Sequence, residues 1–186
     1  MLAERGREAA TIKEIARAAG VAPGLVHYYF ASKEDLLVGV LRAASDRYTT
    51  NMATLAGQMP SADLAGVALD EPRRRATTQP AWYRLRYDLF ALGLRDEALR
   101  AGVADLLANG RAGIAAMLSR TPSHGPSTSS PDAVAAVLLA CFDGLALQRL
   151  IDADFDLDAA YTTLGSLLGV TIPGRLTNQK NESTHD

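Results

Sequence analysis

The stretch TIKEIARAAGVAPGLVHYYFASKEDLL, from Thr11 to Leu37, holds the signals that decide the fold. Thr11 and Glu14 have the spacing of a capping box, in which each side chain accepts a hydrogen bond from the other residue's N–H. Gly20 can adopt the left-handed conformation that ends a helix, and Pro23 suits the first position of the next one. The pattern predicts two short helices joined by a tight turn.

This helix pair has the spacing of a helix-turn-helix motif, in which the second helix enters the major groove of DNA and the first braces it. Helical periodicity turns Val26, Tyr29 and Phe30 toward the first helix. The outward face then holds Pro23, Gly24, Leu25, His27 and Tyr28. An outward His-Tyr pair suits phosphates and base edges. The spacing also allows an αα-hairpin in a helical bundle, with the aromatic side chains as core.

The rest of the chain also reads as helical, because period-two alternation and runs of β-branched residues are nearly absent. Ser32 to Asp35 resembles a second capping box. Further helices are predicted from Lys33 to about Leu55, over 62–69 and in the seventies on either side of Glu71-Pro72, from Pro80 to about Gly93, and from about Asp96 to Ser119. Ser130 is expected to cap a helix that reaches about Asp152, and Asp156 to cap a last helix that ends near Gly169. A loop is expected at 119–131. The fold class is therefore all-α.

Composition bounds the class of protein. The 186 residues are 48% hydrophobic and carry a net charge of −2, enough apolar surface for a core but no strong attraction to nucleic acid in total. One cysteine, Cys141, excludes an intramolecular disulfide and suits a buried position. No signal peptide opens the chain, and no run of about 18 apolar residues is expected to span a membrane. A cytoplasmic protein is expected.

The sequence contains little that indicates an enzyme. The three histidines, at 27, 124 and 185, belong to no cluster with metal-ligand spacing, and no Gly-rich phosphate loop is present. The segment DADFDLD, residues 152–158, lacks the glycine and distal glutamate of a calcium loop. We therefore expect no catalytic residues, no metal and no cofactor.

The helix from Pro80 to Gly93 is the candidate wall of a ligand cavity, because it combines aromatic surface with polar groups. The candidate ligand-binding residues are Trp82, Tyr83, Arg86, Tyr87 and Phe90, with Met117 and Phe142. An ordinary aromatic core or a dimer surface is the alternative. The arginines at 73–75 are expected to be a solvated surface, with phosphate binding as the alternative. Nothing in these residues identifies a ligand.

Residues 5–45 closely resemble the N-terminal motif of TetR-family transcriptional regulators. The resemblance rests on a Thr-led helix with Ile15-Ala16, then Ala19-Gly20-Val21, Gly24, Tyr29-Phe30 and SKEDLL at 32–37. Two later segments, DLFALGLRDEALRAGVADLLANGRAGIAAML (88–118) and FDGLALQRLIDADFDLDAAYTTL (142–164), resemble the C-terminal domain of the BetI-like subgroup.

The resemblance implies a homodimeric repressor that binds a roughly palindromic double-stranded DNA operator and is released by a small molecule. Half-sites would lie about 34 Å or more apart. It implies a helix-turn-helix DNA-binding domain at 1–46 with its motif at 11–30, a helical regulatory and dimerisation domain at 47–172 that dimerises through about residues 131–169, and a disordered tail at 173–186.

Position by position, the resemblance assigns DNA contacts. Thr11, Tyr28 and Lys33 match positions that contact the DNA backbone, and Lys13, Pro23, Gly24, Leu25 and His27 match positions that often reach bases. Ala22 stands where many relatives carry Ser, which removes a helix cap of about 1 kcal/mol and a phosphate contact. His27 stands where Tyr is common.

The family's first helix normally precedes Gly6, and here only Met1 to Arg5 do so. The first helix is therefore expected to be truncated, with the native start upstream. The alternative is a helical ligand-binding or interaction protein that has lost DNA binding.

Overall fold

The computed structural model describes residues 11–58, 60–120 and 130–170. The regular structure within these ranges is entirely helical, as predicted. The helices are α1 (Ile12–Ala19), α2 (Pro23–Tyr29), α3 (Lys33–Gln58), α4 (Ser61–Thr78), α5 (Pro80–Gly93), α6 (Glu97–Leu118), α7 (Pro131–Ile151) and α8 (Leu157–Leu167). The predicted truncated first helix, most of the 119–131 loop and the predicted tail lie outside the described residues.

The turn between α1 and α2 forms as predicted. The Thr11 hydroxyl accepts a hydrogen bond from the Glu14 N–H (3.2 Å), and Glu14 Oε2 accepts one from the Thr11 N–H (2.9 Å). Gly20 has φ of 70°, the left-handed conformation, and its N–H donates to the Ala16 and Arg17 carbonyls. Local sequence therefore specifies both ends of α1.

The cap of α3 differs from a capping box by one residue. The Ser32 hydroxyl accepts from the Asp35 N–H (3.0 Å), but the Asp35 carboxylate accepts from the Ala31 N–H (3.1 Å) instead of the Ser32 N–H. The side chains of Ser130 and Asp156 cap α7 and α8 as predicted, and that of Asp96 caps α6: each accepts a hydrogen bond from a backbone N–H of its helix.

A small core holds α1, α2 and the start of α3 together. Its buried members are Ile15, Ala16, Val26 and Leu36, with Ile12, Phe30 and Val40 packed against them. Tyr29 was expected in this core, and that prediction was wrong: its side chain is 68% exposed and makes an edge contact with Tyr28 at 5.1 Å. Val26 and Phe30 set the inward direction, and about 100° per residue turns Tyr29 to the flank of α2.

Helix α4 runs unbroken from Ser61 to Thr78, so the predicted break at Glu71-Pro72 is wrong. A proline inside a helix removes one backbone hydrogen bond, but Pro72 is buried and the flanking turns are held by packing of Leu69 and Ala76 in the core.

The arginines at 73–75 are also less solvated than expected. Arg73 pairs with Asp70 and Asp158, while Arg74 and Arg75 both pair with Glu71. Only Arg74 is mostly exposed. These ion pairs tie the second half of α4 to itself and to the start of α8.

Two further cores lie beyond the helix-turn-helix. One contains Leu69, Ala76, Tyr83, Leu138, Phe142, Ala146, Leu157 and Tyr161. The other contains Leu37, Val38, Leu41, Leu85, Leu89 and Leu106. Leu37 and Leu41 of α3 lie in the second core, whereas Leu36, the residue before Leu37, lies in the small core of the helix-turn-helix. It also lies close to α6, since a Cβ on Gly102 would come within 2.8 Å of Val38.

Helix α7 buries one side and exposes apolar residues on the other. Ala135, Leu138, Phe142 and Ala146 are buried, whereas Val137, Leu147 and Ile151 are exposed. By length and composition alone α7 could cross a membrane, so the expectation that no such segment exists was wrong. The reason is that only Asp143 and Arg149 carry charge between Ala133 and Ile151.

Two ion pairs that join different helices differ sharply in environment. Arg86 on α5 pairs with Asp143 on α7, and their side chains are 3% and 16% exposed. Arg42 on α3 pairs with Asp105 on α6, and theirs are 44% and 64% exposed. Removing one partner of a buried pair leaves an uncompensated charge, whereas water solvates the remaining partner of an exposed pair.

We predict that Asp143→Asn lowers the free energy of unfolding by about 3 kcal/mol, measured by urea unfolding followed by circular dichroism. The matched control Asp105→Asn, which removes the same charge from the exposed pair, is expected to cost less than about 1 kcal/mol. Equal losses in the two variants would contradict the assignment of Arg86–Asp143 as a core ion pair.

Candidate nucleic-acid interface and effector site

The candidate DNA-binding residues lie on the accessible side of the helix-turn-helix. Those with exposed side chains or backbone are Thr11, Lys13, Ala22, Pro23, Gly24, Leu25, His27 and Tyr28, and Lys33 is half-buried. Only Val26 of α2 is buried. The outward face expected from helical periodicity is therefore exposed, and the exposed Tyr29 lies at its flank.

The N-terminus of α2 lacks a side-chain cap. Ala22 occupies the N-cap position and makes no capping hydrogen bond, while its carbonyl accepts from the Leu25 N–H at 3.0 Å. This agrees with the cap loss expected from alanine at this position. No side chain at the N-cap position therefore accepts a hydrogen bond from the first turn of α2.

Gly24 is not required by the fold. The described glycines with positive φ are Gly20 and Gly169, so the backbone conformation at position 24 does not need glycine. A Cβ built on it meets no heavy atom within 4 Å in the described chain. Glycine inside a helix costs about 0.5–1 kcal/mol relative to alanine. Glycine at position 24 therefore lowers the stability of the helix, and packing within the described chain does not explain why it is there. It leaves this side of α2 without a side chain.

Positive charge flanks this face. Lys13 and Arg17 are both exposed and lie one helical turn apart on α1. Lys33 begins α3. Arg17 was not among the residues singled out from the sequence, although its spacing from Lys13 was a signal that could have identified it.

The aromatic residues of α5 form a continuous ladder. Trp82 meets Tyr83 edge-on at 4.9 Å, Tyr83 stacks on Tyr87 at 6.0 Å, and Tyr87 contacts Phe90 at 6.2 Å. The Arg86 guanidinium lies 5.3 Å from the Trp82 ring centroid and 4.6 Å from that of Phe90. These distances suit cation–π attraction.

Asp143 accepts hydrogen bonds from both Arg86 and Tyr87 of α5. Its carboxylate accepts two hydrogen bonds from Arg86, at 2.8 and 2.9 Å, and its backbone carbonyl accepts one from the Tyr87 hydroxyl at 2.6 Å. Burial, and then the Asp143 charge, raise the pKa of Tyr87 above its ordinary value. Asp143 was missed from the sequence, where its signal was a lone carboxylate inside an apolar helix.

A second carboxylate extends the same arrangement into α4. The Arg75 guanidinium lies 5.0 Å from the Trp82 ring centroid and 3.8 Å from Glu71 Oε1. Burial raises the pKa of Glu71, and the charges of Arg75 and Arg74 oppose this shift. Trp82 is therefore in contact with guanidinium groups from two helices.

The seven candidate ligand-binding residues do not all share one cluster. Tyr83 and Phe142 are buried in one core, where Phe142 stacks on Tyr161 at 6.1 Å. Phe90 packs on the core that contains Leu37, and Met117 is half-buried on α6. Trp82 contacts both cores. The polar ends of Arg86 and Tyr87 are already bound within the chain.

The acidic segment at 152–158 serves the helix ends. Asp152 accepts from the Asp154 N–H, Asp156 caps α8, and Asp158 pairs with Arg73. No group of three potential metal ligands occurs in the described ranges.

Comparison with known proteins covers both parts of the chain. Residues 1–40 match bacterial regulatory proteins of the tetR family, and residues 68–172 match the C-terminal part of BetI-type transcriptional repressors. The HTH-type transcriptional regulator BetI of Rhizobium meliloti (strain 1021) is 49% identical over 43 residues, which are 23% of this chain and 21% of that protein. The repressor KstR2 of Mycobacterium tuberculosis is 44% identical over 46 residues, 25% and 23% of the two chains. These alignments thus span little more than a fifth of the curated relatives' length.

Solved structures extend the similarity in fold to nearly the whole chain. A TetR-family regulator from Rhodococcus sp. aligns with a TM-score of 0.71 at 23% identity, covering 92% of each chain. A TetR-family member from Streptomyces coelicolor A3 aligns at 0.63 and 27% identity, covering 90% and 91%. The regulator FadR of Bacillus subtilis, in complex with stearoyl-CoA, aligns at 0.62 and 20% identity, covering 94% and 93%.

The BetI-type match alone spans more than half of the chain, and it follows a helix-turn-helix that matches independently. The chain therefore belongs to the TetR family of bacterial transcriptional regulators, with a C-terminal part of the BetI type.

Proposed function

We propose that the chain is a cytoplasmic repressor that binds a palindromic DNA operator as a homodimer and leaves it when a small molecule binds the C-terminal helices. The observation that carries the DNA-binding part is the accessible face of α2. Gly24, Leu25 and Tyr28 share its outward arc, and Lys13 and Arg17 are exposed on the neighbouring helix α1. A helix with one inward anchor, Val26, and an open opposite side suits insertion into a major groove.

Contacts from this face divide into two kinds. Thr11, Tyr28 and Lys33 are proposed to contact phosphates, which would fix the position of the protein on the duplex. Lys13, Pro23, Gly24, Leu25 and His27 are proposed to approach base edges. Ala22 supplies only its backbone. Phosphate contacts release counterions, so binding is expected to weaken steeply with salt.

The homodimer is proposed to form through α7 and α8. Val137, Ala140, Gly144, Leu147 and Ile151 follow one another at intervals of three or four residues on α7, and all but the half-buried Gly144 are exposed. This spacing is the pattern of a helix that packs against another helix. Leu167 adds an exposed apolar side chain on α8. Because the opposite side of α7 is buried in the chain, a second copy explains its outward apolar side better than a membrane does.

The effector is proposed to bind near α5, where Trp82, Tyr83, Arg86, Tyr87 and Phe90 lie, with Met117 and Phe142 as further contacts. The similar fold of FadR in complex with stearoyl-CoA supports a ligand within such a helical domain. Arg86 and Tyr87 already bind Asp143 on α7. A ligand that takes these groups from Asp143 would alter the α5–α7 contact, and through it the spacing of the two DNA-binding units. Such a ligand acts only through different affinities for the two states.

We predict that Tyr28→Ala weakens binding to every DNA sequence by about tenfold, because a hydrogen bond to a charged phosphate is lost. The measurement is a gel-shift titration against the DNA that flanks the gene. Tyr28→Phe, which removes only the hydroxyl, is expected to lose a similar amount. Unchanged affinity in Tyr28→Ala would show that α2 faces the DNA differently.

We predict that Gly24→Ala separates stability from binding. Its free energy of unfolding should be unchanged or higher by about 0.5 kcal/mol, because alanine is the better helix former and the site is open. Its DNA affinity should fall, because the new methyl group separates α2 from the groove. Thermal unfolding and the same gel-shift titration check both halves. Unchanged DNA affinity would show that the duplex does not approach Gly24.

We predict that Val137→Asp converts the dimer to a monomer, because two carboxylates would be buried against each other's apolar stripe. Light scattering after size exclusion gives the mass. Leu94→Asp is the control, since Leu94 is also an exposed apolar residue but lies at the end of α5, and it should remain dimeric. A dimeric Val137→Asp protein would place the interface elsewhere.

A further inference from the structure

The outward face of α2 has an unusual chemical composition for a helix that reads DNA. Between Pro23 and Tyr29 the helix has no Arg, Lys, Asn, Gln, Asp or Glu. Guanine is most often read by a guanidinium or ammonium group and adenine by a side-chain amide, each through two hydrogen bonds. Helix α2 can make neither bidentate contact. The hydrogen-bonding side chains it offers are those of His27, Tyr28 and Tyr29.

Apolar surface takes the place of these polar groups. Leu25 is 47% exposed, although most leucines in the described chain are packed in cores. Pro23 is exposed two residues earlier, at the first position of the helix, and Gly24 between them has no side chain. Tyr28, which is 80% exposed, lies about one turn after Leu25 on the helix. The apolar side chains exposed near the start of α2 are therefore those of Pro23 and Leu25.

The apolar group that a base pair displays in the major groove is the 5-methyl group of thymine. We propose that α2 reads its operator by apolar contact of Leu25 and Pro23 with thymine 5-methyl groups. This inference rests on the proposed insertion of α2 into the major groove. Burying a methyl against a leucine side chain removes both from water, which is favourable without any hydrogen bond.

Charge at the edge of the motif completes the assignment. Lys13 and Arg17 are the cations exposed on α1, so a guanine contact is assigned to α1 and the thymine contacts to α2. The operator half-site is then thymine-rich opposite Leu25, and specificity at those positions depends on a methyl group instead of on hydrogen-bond donors and acceptors.

Replacing thymine by deoxyuridine tests this directly, because deoxyuridine keeps every hydrogen-bonding group and lacks only the 5-methyl. An operator is first selected with the full wild-type chain from a random duplex pool. Each thymine of the half-site is then replaced in turn, symmetrically in both halves, and affinity is measured by fluorescence anisotropy. At one or two positions the affinity is expected to fall about fourfold per half-site, or about fifteenfold for both.

Leu25→Ala assigns the effect to its side chain. This variant is expected to bind the thymine and deoxyuridine duplexes almost equally, while Leu94→Ala keeps the wild-type discrimination. Leu25 is exposed, so circular dichroism should show an unchanged fold, and the wild-type comparison needs no variant at all.

Three results would overturn the proposal. Equal wild-type affinity for every deoxyuridine duplex would refute methyl recognition while leaving operator binding intact. Discrimination that survives in both Leu25→Ala and Pro23→Ala would place the methyl contact on other residues. A chain that enriches no sequence from the pool would refute the proposed function together with this inference.

Discussion

Helix α3 has to bury two different surfaces, and the arrangement of the molecule depends on it. Leu36 lies in the core of the helix-turn-helix, whereas Leu37 and Leu41 lie in the core formed with α5 and α6. Consecutive residues of a helix point about 100° apart, so neighbouring positions can serve separate cores. A rotation of α3 large enough to improve one core would open the other. The DNA-binding motif is therefore tied to the larger domain by packing, and the exposed Arg42–Asp105 pair adds little.

The same constraint offers a physical route between the two proposed sites. Helix α5 packs on α3 through Leu85 and Leu89 and binds Asp143 of α7 through Arg86. A change at Arg86 can therefore reach α3 through one helix and the apolar stripe of α7 through the other. Close-packed cores pass on such shifts because they contain little free space. The proposed dimer surface and the proposed DNA surface thus share α5 as their common neighbour.

Prediction from sequence succeeded where the physics is local. The Thr11–Glu14 box, the left-handed Gly20 and the caps at Ser130 and Asp156 each depend on a few neighbouring residues. It failed where distant packing decides the outcome. Pro72 was read as a break, yet core packing on both sides keeps α4 continuous. Arg86 and Asp143 are 57 residues apart in sequence, and they are partners only because α5 and α7 pack side by side. Tyr29 was misplaced because a seven-residue helix gives periodicity too few positions to fix an inward direction.

Two copies of α2 are proposed to sit in successive major grooves of one operator. Hydroxyl-radical footprinting of the full chain on its selected operator tests this most directly. We expect two protected half-sites on one face of the duplex, centred about 34 Å or more apart and related by two-fold symmetry. A single protected tract without symmetry, or no protection under conditions where the dimer is intact, would contradict it.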